Sequence, residues 1–295
     1  MNRRVVLGTM AASGMSALAI EPIARPLTGS RMKLGLAAYS LRKYLDLKSQ
    51  AKPAMNLFDF ADFAAKHGCD AIEPTSYYFA DTSIASVLAL KNHCARLGLE
   101  VSGSAVGNNF CHADPSKRND QVKLVKDWLD RVSLMGGRTL RVFAGQLAKG
   151  TTEQQCRQWA TECIKEACDH AGKVGVYVAL ENHGGITATS EQMMALVKAV
   201  DHPWFGVNLD SGNFKTDDPF DDLAKLAPYA VVTQFKSEIQ PANKPKQRVD
   251  YTQLAGIMRK ANYSGYVILE YEASEEPLTA IPRELAELAK VIKSA

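Results

Sequence analysis

From Met32 onward the chain alternates between two hydrophobic rhythms. Short runs rich in small and β-branched residues, at 33–40, 69–74, 99–107, 138–145, 176–182, 204–210, 230–238 and 265–272, read as buried strands. After each of them the apolar positions recur at helical spacing, over 57–68, 83–98, 116–137, 152–175, 190–200, 218–228, 250–263 and 282–294. Gly68, Gly98 and Gly136–Gly137 stand where helix C-termini call for glycine, and Ser190 stands where a cap opens the fifth helix. Eight consecutive strand–helix units without a break in composition predict an α/β fold, a single (β/α)8 TIM barrel over residues 31–295. An open doubly wound sheet is the competing arrangement. It usually carries a glycine-rich phosphate turn after its first strand, and AAYSLRKYL (37–45) has none.

Side chains alternate across a strand, so each barrel strand sends one parity toward the helices and the other inward. In the fifth strand Val176, Val178 and Leu180 share the aliphatic side, which sends Tyr177, Ala179 and Glu181 inward. The same test sends Phe205, Val207 and Leu209 out and Asn208 and Asp210 in. In the seventh strand Val231, Thr233 and Phe235 point out, leaving Val232, Gln234 and Lys236 inside. In the eighth, Val267, Leu269 and Tyr271 point out, leaving Ile268, Glu270 and Glu272 inside. Four successive strands therefore end in an inward oxygen-bearing side chain: Glu181, Asp210, Gln234 and Glu270. The C-terminal face is where barrels of this class keep their active sites.

Three carboxylates converging in a barrel mouth repel one another, and burying them uncompensated is costly. One divalent cation resolves the conflict, and hard oxygen donors favour Mn²⁺ or Mg²⁺ over Zn²⁺. The alternative is a metal-free network in which Lys236, Arg141 and Lys215 supply the positive charge. Other candidates surround the same face. Glu73 ends the second strand facing inward, and Arg141 faces inward in the fourth. His183 follows Glu181 by two residues, and Asn108 lies in the loop after the third strand. The aromatic run at 77–79 is suited either to stacking on a sugar ring or to core packing.

The first thirty residues differ from the rest. Arg3–Arg4, a weakly apolar stretch from Val5 to Ile20 and the Ala17-x-Ala19 pattern have the layout of a twin-arginine-like export signal, followed by a linker to residue 30. This predicts an exported, periplasmic protein with no membrane association after signal removal. Residues 1–30 carry three arginines and one glutamate, so 32 of 35 basic and 31 of 32 acidic side chains remain, a net charge of +1. That balance gives no basis for a nucleic-acid partner. The cysteines at 69, 94, 111, 156, 163 and 168 show no CxxC pairing or zinc spacing, and are expected as thiols in or near the core.

LENHGG (180–185), NLDSGNF (208–214), TQFKSE (233–238) and ILEYE (268–272), in this order and on these strands, resemble the xylose-isomerase-like barrel superfamily. The resemblance is greatest to its sugar phosphate isomerase/epimerase branch, which includes ketose 3-epimerases and inosose dehydratases. It implies one divalent metal held by Glu181, Asp210, Gln234 and Glu270, with the two glutamates as the acid/base pair. It also places Asn213 where the family has a substrate-binding histidine, and from their positions at the same face His183, Lys236, Glu73, Arg141 and Asn108 are expected in contact with a sugar or sugar derivative. Two positions depart from the pattern: Gln234 stands for the strand-seven histidine, and Asn213 for the histidine of a D-x-x-H motif.

The expected activity is metal-dependent isomerisation or epimerisation of a free or modified sugar through an enediolate. Two alternatives share the site: a lyase or dehydratase acting on keto-sugars or 3-keto-glycosides, and a non-catalytic sugar-binding barrel. An apurinic-site endonuclease, from the same superfamily, needs a histidine-rich trinuclear zinc site and a basic surface, which six scattered histidines and a net +1 do not supply. A homo-oligomer is compatible with the sequence.

Overall fold

The structure, a computed structural model, describes residues 22, 23, 25, 30–48 and 53–293. The export-signal segment and its junction lie outside the described residues. Each predicted strand forms: β1 (Met32–Ala37), β2 (Ala71–Glu73), β3 in two pieces (Glu100–Val101 and Gly103–Ala105), β4 (Thr139–Val142), β5 (Tyr177–Glu181), β6 (Phe205–Asp210), β7 (Ala230–Phe235) and β8 (Gly265–Leu269). The helices between and after them are α1 (Leu57–Lys66), α2 (Ile84–Arg96), α3 (Pro115–Met135), α4 (Glu153–Val174), α5 (Ser190–Val200), α6 (Pro219–Leu226), α7 (Tyr251–Lys260) and α8 (Pro277–Lys293).

All pairings among these strands are parallel. Their order is the first piece of β3, then β2, β1, β8, β7, β6, β5, β4 and the second piece of β3, so the sheet returns to the strand it left. Ser102 is the seam. Its N–H donates to the carbonyl of Ile72 at 3.0 Å, while its own carbonyl accepts from the Arg138 N–H at 3.0 Å. A β-carbon at Gly103 would lie 2.2 Å from the Thr139 carbonyl oxygen, so glycine is what lets β3 approach β4 here.

The predicted parity holds, with one exception. Ala37, Ala71, Ala179, Val232, Tyr266 and Ile268 pack together inside the barrel. The opposite parity, including Leu34, Val178, Leu180, Val207, Leu209 and Leu269, packs with the helices in the larger core. Val231, expected to face outward, instead packs against the inner cluster. The register slips between Val207 and Asn208, which pair with Ala230 and Val232, so Val231 is an inserted bulge residue. Gly206 makes room for it, since a β-carbon there would lie 2.4 Å from Val231 Cγ1. Parity beyond the bulge is unaffected, so Gln234 and Lys236 remain inward.

One further expectation is corrected. The fifth helix is capped by Thr189, whose hydroxyl accepts from the Gln192 N–H in a capping box; Ser190 is the first helical residue and its hydroxyl donates to Asp222. The segment read as a linker is docked in part on the underside of the barrel. The Ile23 N–H donates to the Pro228 carbonyl at 3.1 Å, and Arg25 Nη1 donates to the Ala261 carbonyl at 3.1 Å with its guanidinium over the Tyr263 ring. All six cysteines are buried free thiols, as expected. Among the described residues no helix is long and apolar enough to cross a membrane.

The seam gives a test. Gly103→Ala is expected to lower stability by about 2 kcal/mol or more, because the added methyl meets backbone rather than a movable side chain. Urea unfolding measures this, and an unchanged midpoint would contradict the close approach of β3 and β4.

Candidate active site at the C-terminal mouth of the barrel

Strand parity and strand ends together bring Glu181, Asp210, Gln234, Lys236 and Glu270 to one face, all buried. Lys236 is the hub. Its ammonium lies 2.6 Å from Glu270 Oε2 and 3.2 Å from Asp210 Oδ2, and also contacts the Glu272 carboxylate. Arg141 is the second cation, with Nε 3.0 Å from Glu181 Oε2 and Nη1 donating to the Val106 carbonyl at 3.0 Å. Asn213 Nδ2 donates to the other oxygen of Glu181 at 2.9 Å. The predicted positive partners Lys236 and Arg141 are thus in place, while Lys215 is exposed on the wall of an adjoining cavity.

A second chain of contacts runs beneath. Gln234 Nε2 donates to Glu73 Oε1 at 2.8 Å, and Asn208 Nδ2 donates to Gln234 Oε1 at 2.7 Å. Burial, reinforced by the nearby Glu270 charge, raises the Glu73 pKa to about 7. By the Gln234 hydrogen bond, Glu73 is the acceptor at the floor of the site.

Four carboxylates, Glu181, Asp210, Glu270 and Glu272, face two cations, an excess of two negative charges. The proton affinities reflect it. Burial raises Glu181 well above the usual carboxylate range against the pull of Arg141, and burial raises Asp210 to about 7 against the pull of Lys236. Burial acts on Glu270 in the same direction, but the charge and hydrogen bond of Lys236 hold its pKa below the ordinary value. Lys236 in turn stays charged: its burial is outweighed by Asp210, Glu270 and Glu272. Glu181 and Glu270 are thus pushed in opposite directions, the kind of separation between two carboxyls that acid/base chemistry uses.

The donor set fits a hard divalent cation. Three carboxylates and one carboxamide supply only oxygen, the excess charge is two, and Asp210 Oδ2 is buried with no hydrogen bond aligned on it. Among the described residues no three His, Cys, Asp or Glu side chains are already drawn together as a cage. The ammonium of Lys236 lies between Asp210 and Glu270 instead.

The remaining predicted residues divide between the mouth and its surroundings. His183 is exposed, with its ring 4.4 Å from that of Phe143, in a cavity of about 200 Å³ that Asn108, Asn109, Gln146 and Thr187 also line. Partial desolvation and the positive charges of Arg141 and Lys236 lower its pKa. Gly184 and Gly185, at φ 66° and 55°, turn the chain away behind it. Asn108 is a backbone clamp: its amide donates to the Phe143 carbonyl at 2.7 Å and accepts from the Phe143 N–H at 2.9 Å. Of the aromatic run, Phe79 packs edge-on to Trp128, while the Tyr77 hydroxyl reaches Arg141 Nη2 at 3.4 Å.

Some contributors escaped the sequence reading. Asn182 is wholly buried and repeats the clamp of Asn108, donating to the Asp210 carbonyl at 3.0 Å and accepting from the Asp210 N–H at 2.9 Å. It fixes Asp210 from the neighbouring strand. The signal was present, since an asparagine immediately past a buried strand has backbone groups to satisfy. Tyr39, beside Glu270 and Glu272, has its pKa raised by burial and by Glu272. No periodicity marks it.

Removing Arg141 would leave Glu181 buried without its cation. Arg141→Met is expected to cost about 3 kcal/mol or more in urea unfolding, because breaking one half of a buried pair strands the other charge. Stability equal to wild type would mean that the pair does not govern the environment of Glu181.

No curated protein matches the chain by sequence. Several solved structures share its fold. A D-psicose 3-epimerase crystallised in the presence of D-fructose is 16% identical with a TM-score of 0.72, over 90% of this chain and 100% of that one. The 3-keto-D-glucoside 4-epimerase from E. coli is 17% identical with a TM-score of 0.70, over 88% and 100%. The probable 3-DHS dehydratase from Bacillus anthracis is 19% identical with a TM-score of 0.65, over 88% and 99%. The sequence itself matches the family described as xylose isomerase-like TIM barrel over residues 61–294, and the chain belongs to that family.

Proposed function

We propose that this protein is a sugar isomerase or epimerase that moves a proton at a carbon next to a carbonyl, through an enediolate, with Glu181 and Glu270 as the acid/base pair. The observation that carries the reading is the placement of these two buried carboxylates on β5 and just past β8, with Asp210 and Gln234 on the strands between them. A sugar lying over Asp210 would then meet one carboxylate on each side. The epimerase activities of the fold neighbours lend the same reading support.

Each residue has a defined task. Glu270, kept ionised by the cation beside it, accepts the proton from carbon. Glu181, oriented by Arg141 and Asn213, returns a proton from the other side. Glu181, Asp210, Gln234 and Glu270 would hold a divalent cation, proposed as Mn²⁺ or Mg²⁺ rather than Zn²⁺, which when bound polarises the carbonyl and hydroxyl oxygens of the substrate. Asn213 and Lys236 border the mouth, and Glu73 fixes Gln234 from below. The substrate is proposed to be a free or modified sugar, because no phosphate-binding glycine loop follows a strand. Export to the periplasm is proposed on the Arg3–Arg4 segment alone.

The cavity beside the mouth favours a second reading of the same site. After proton abstraction, a group on the adjacent carbon could depart into the space beside Phe143 and His183, making the reaction an elimination from a keto-sugar or 3-keto-glycoside. Product mass separates the two: an isomerase returns the mass it received, and a lyase releases water or an aglycone.

Incubation with a panel of keto-sugars and keto-glycosides in D₂O with Mn²⁺, read by mass spectrometry, should show deuterium entering carbon. Glu270→Gln should slow that uptake by about 10²-fold or more, the scale of general base catalysis. If Glu270→Gln exchanges as fast as wild type, the acid/base assignment is wrong.

A further inference from the structure

The position of the Lys236 ammonium has a consequence for how the site takes up a cation. Among the four oxygen donors, Asp210 and Glu270 are the two that Lys236 touches, at 3.2 and 2.6 Å. A divalent ion drawing on both would have to share their charge with an ammonium in direct contact with each. Like charges at such distances inside a protein repel strongly, so the two cations exclude one another.

The lysine has somewhere to go. Its ammonium already contacts Glu272, whose side chain is 33% exposed while those of Asp210 and Glu270 are almost wholly buried. Glu272 stands on the wall of a cavity of about 140 Å³ that also adjoins Gly212 and Asn213. Gly212 clears the path for the lysine stem: a β-carbon there would lie 2.9 Å from Lys236 Cδ and 3.1 Å from Cγ. A four-carbon stem can swing its ammonium between these carboxylates without moving the backbone.

We propose that Lys236 is a built-in counter-cation that holds Asp210 and Glu270 together until a divalent ion displaces it, whereupon its ammonium withdraws to Glu272 and the cavity beside Gly212. The lysine keeps the unloaded mouth from being forced open by its own carboxylates, and it sets the ion concentration at which the site loads. Glu272 acts as the resting place that makes displacement possible. This rests on the reading that these carboxylates hold a divalent cation.

Isothermal titration of the full chain with MnCl₂ at one neutral pH tests it, comparing wild type, Lys236→Met and Glu272→Gln. Removing the competing ammonium should tighten Mn²⁺ binding by about tenfold or more, the equivalent of about 1.4 kcal/mol. Removing the resting carboxylate while keeping the lysine should weaken binding several-fold, the opposite sign. Binding by Lys236→Met that equals or falls below wild type would overturn the proposal while leaving the metal reading intact. Should Lys236→Met fail to fold, Glu272→Gln decides: weaker binding supports displacement, and unchanged or tighter binding overturns it. No Mn²⁺ binding by any of the folded proteins, wild type included, would remove the metal reading and the proposal with it.

Discussion

The mouth of this barrel is organised around one electrostatic constraint: buried carboxylates on adjacent strand ends must be kept from repelling one another. A closed parallel sheet sends every second side chain inward, and at its C-terminal end β5 and β6 deliver Glu181 and Asp210, while Glu270 follows directly on β8. Two buried cations answer them. Arg141 faces Glu181, and Lys236 reaches Asp210, Glu270 and Glu272. The remaining excess of negative charge makes this a place that attracts cations, while burial of Glu181 and the contact of Lys236 with Glu270 separate the proton affinities of the two.

Neutral groups then set the geometry. Asn182 joins the end of β5 to the backbone of Asp210, and Asn108 does the same between the loop after β3 and Phe143. Such two-way amide bonds fix a backbone position with no charge of their own, which suits a site where another charge would disturb the balance. Gln234 fits the same logic. Its carboxamide accepts from Asn208 and donates to Glu73, tying three strands together without adding a charge.

Most of the fold was legible in the sequence because the strands are buried on both faces and their parity is simple. Phe205, Val207 and Leu209 read as one face without help from the structure. Val231 did not, because a bulge depends on a neighbouring strand that tolerates it, here through Gly206, and a single strand read alone carries no sign of that partner. The docking of Arg25 under the barrel was equally hidden, since a polar, proline-containing stretch resembles a linker until the carbonyls it satisfies are in view. At the site, the inward carboxylates were predicted from parity, and so were their cationic partners Lys236 and Arg141. The clamps of Asn182 and Asn108 were not, because they act on backbone groups brought close only by the closed sheet. Nor did the sequence indicate that Lys236 would lie between Asp210 and Glu270 rather than beside them.

The central claim is that the four strand ends form one cation-balanced site with Lys236 as its movable charge. Anomalous diffraction at the manganese edge, from crystals grown with MnCl₂, addresses it most directly. The account predicts a single strong peak among Glu181, Asp210, Gln234 and Glu270, with the Lys236 ammonium turned toward Glu272. A map with no peak there, and Lys236 still held by Asp210 and Glu270 at saturating Mn²⁺, would contradict it.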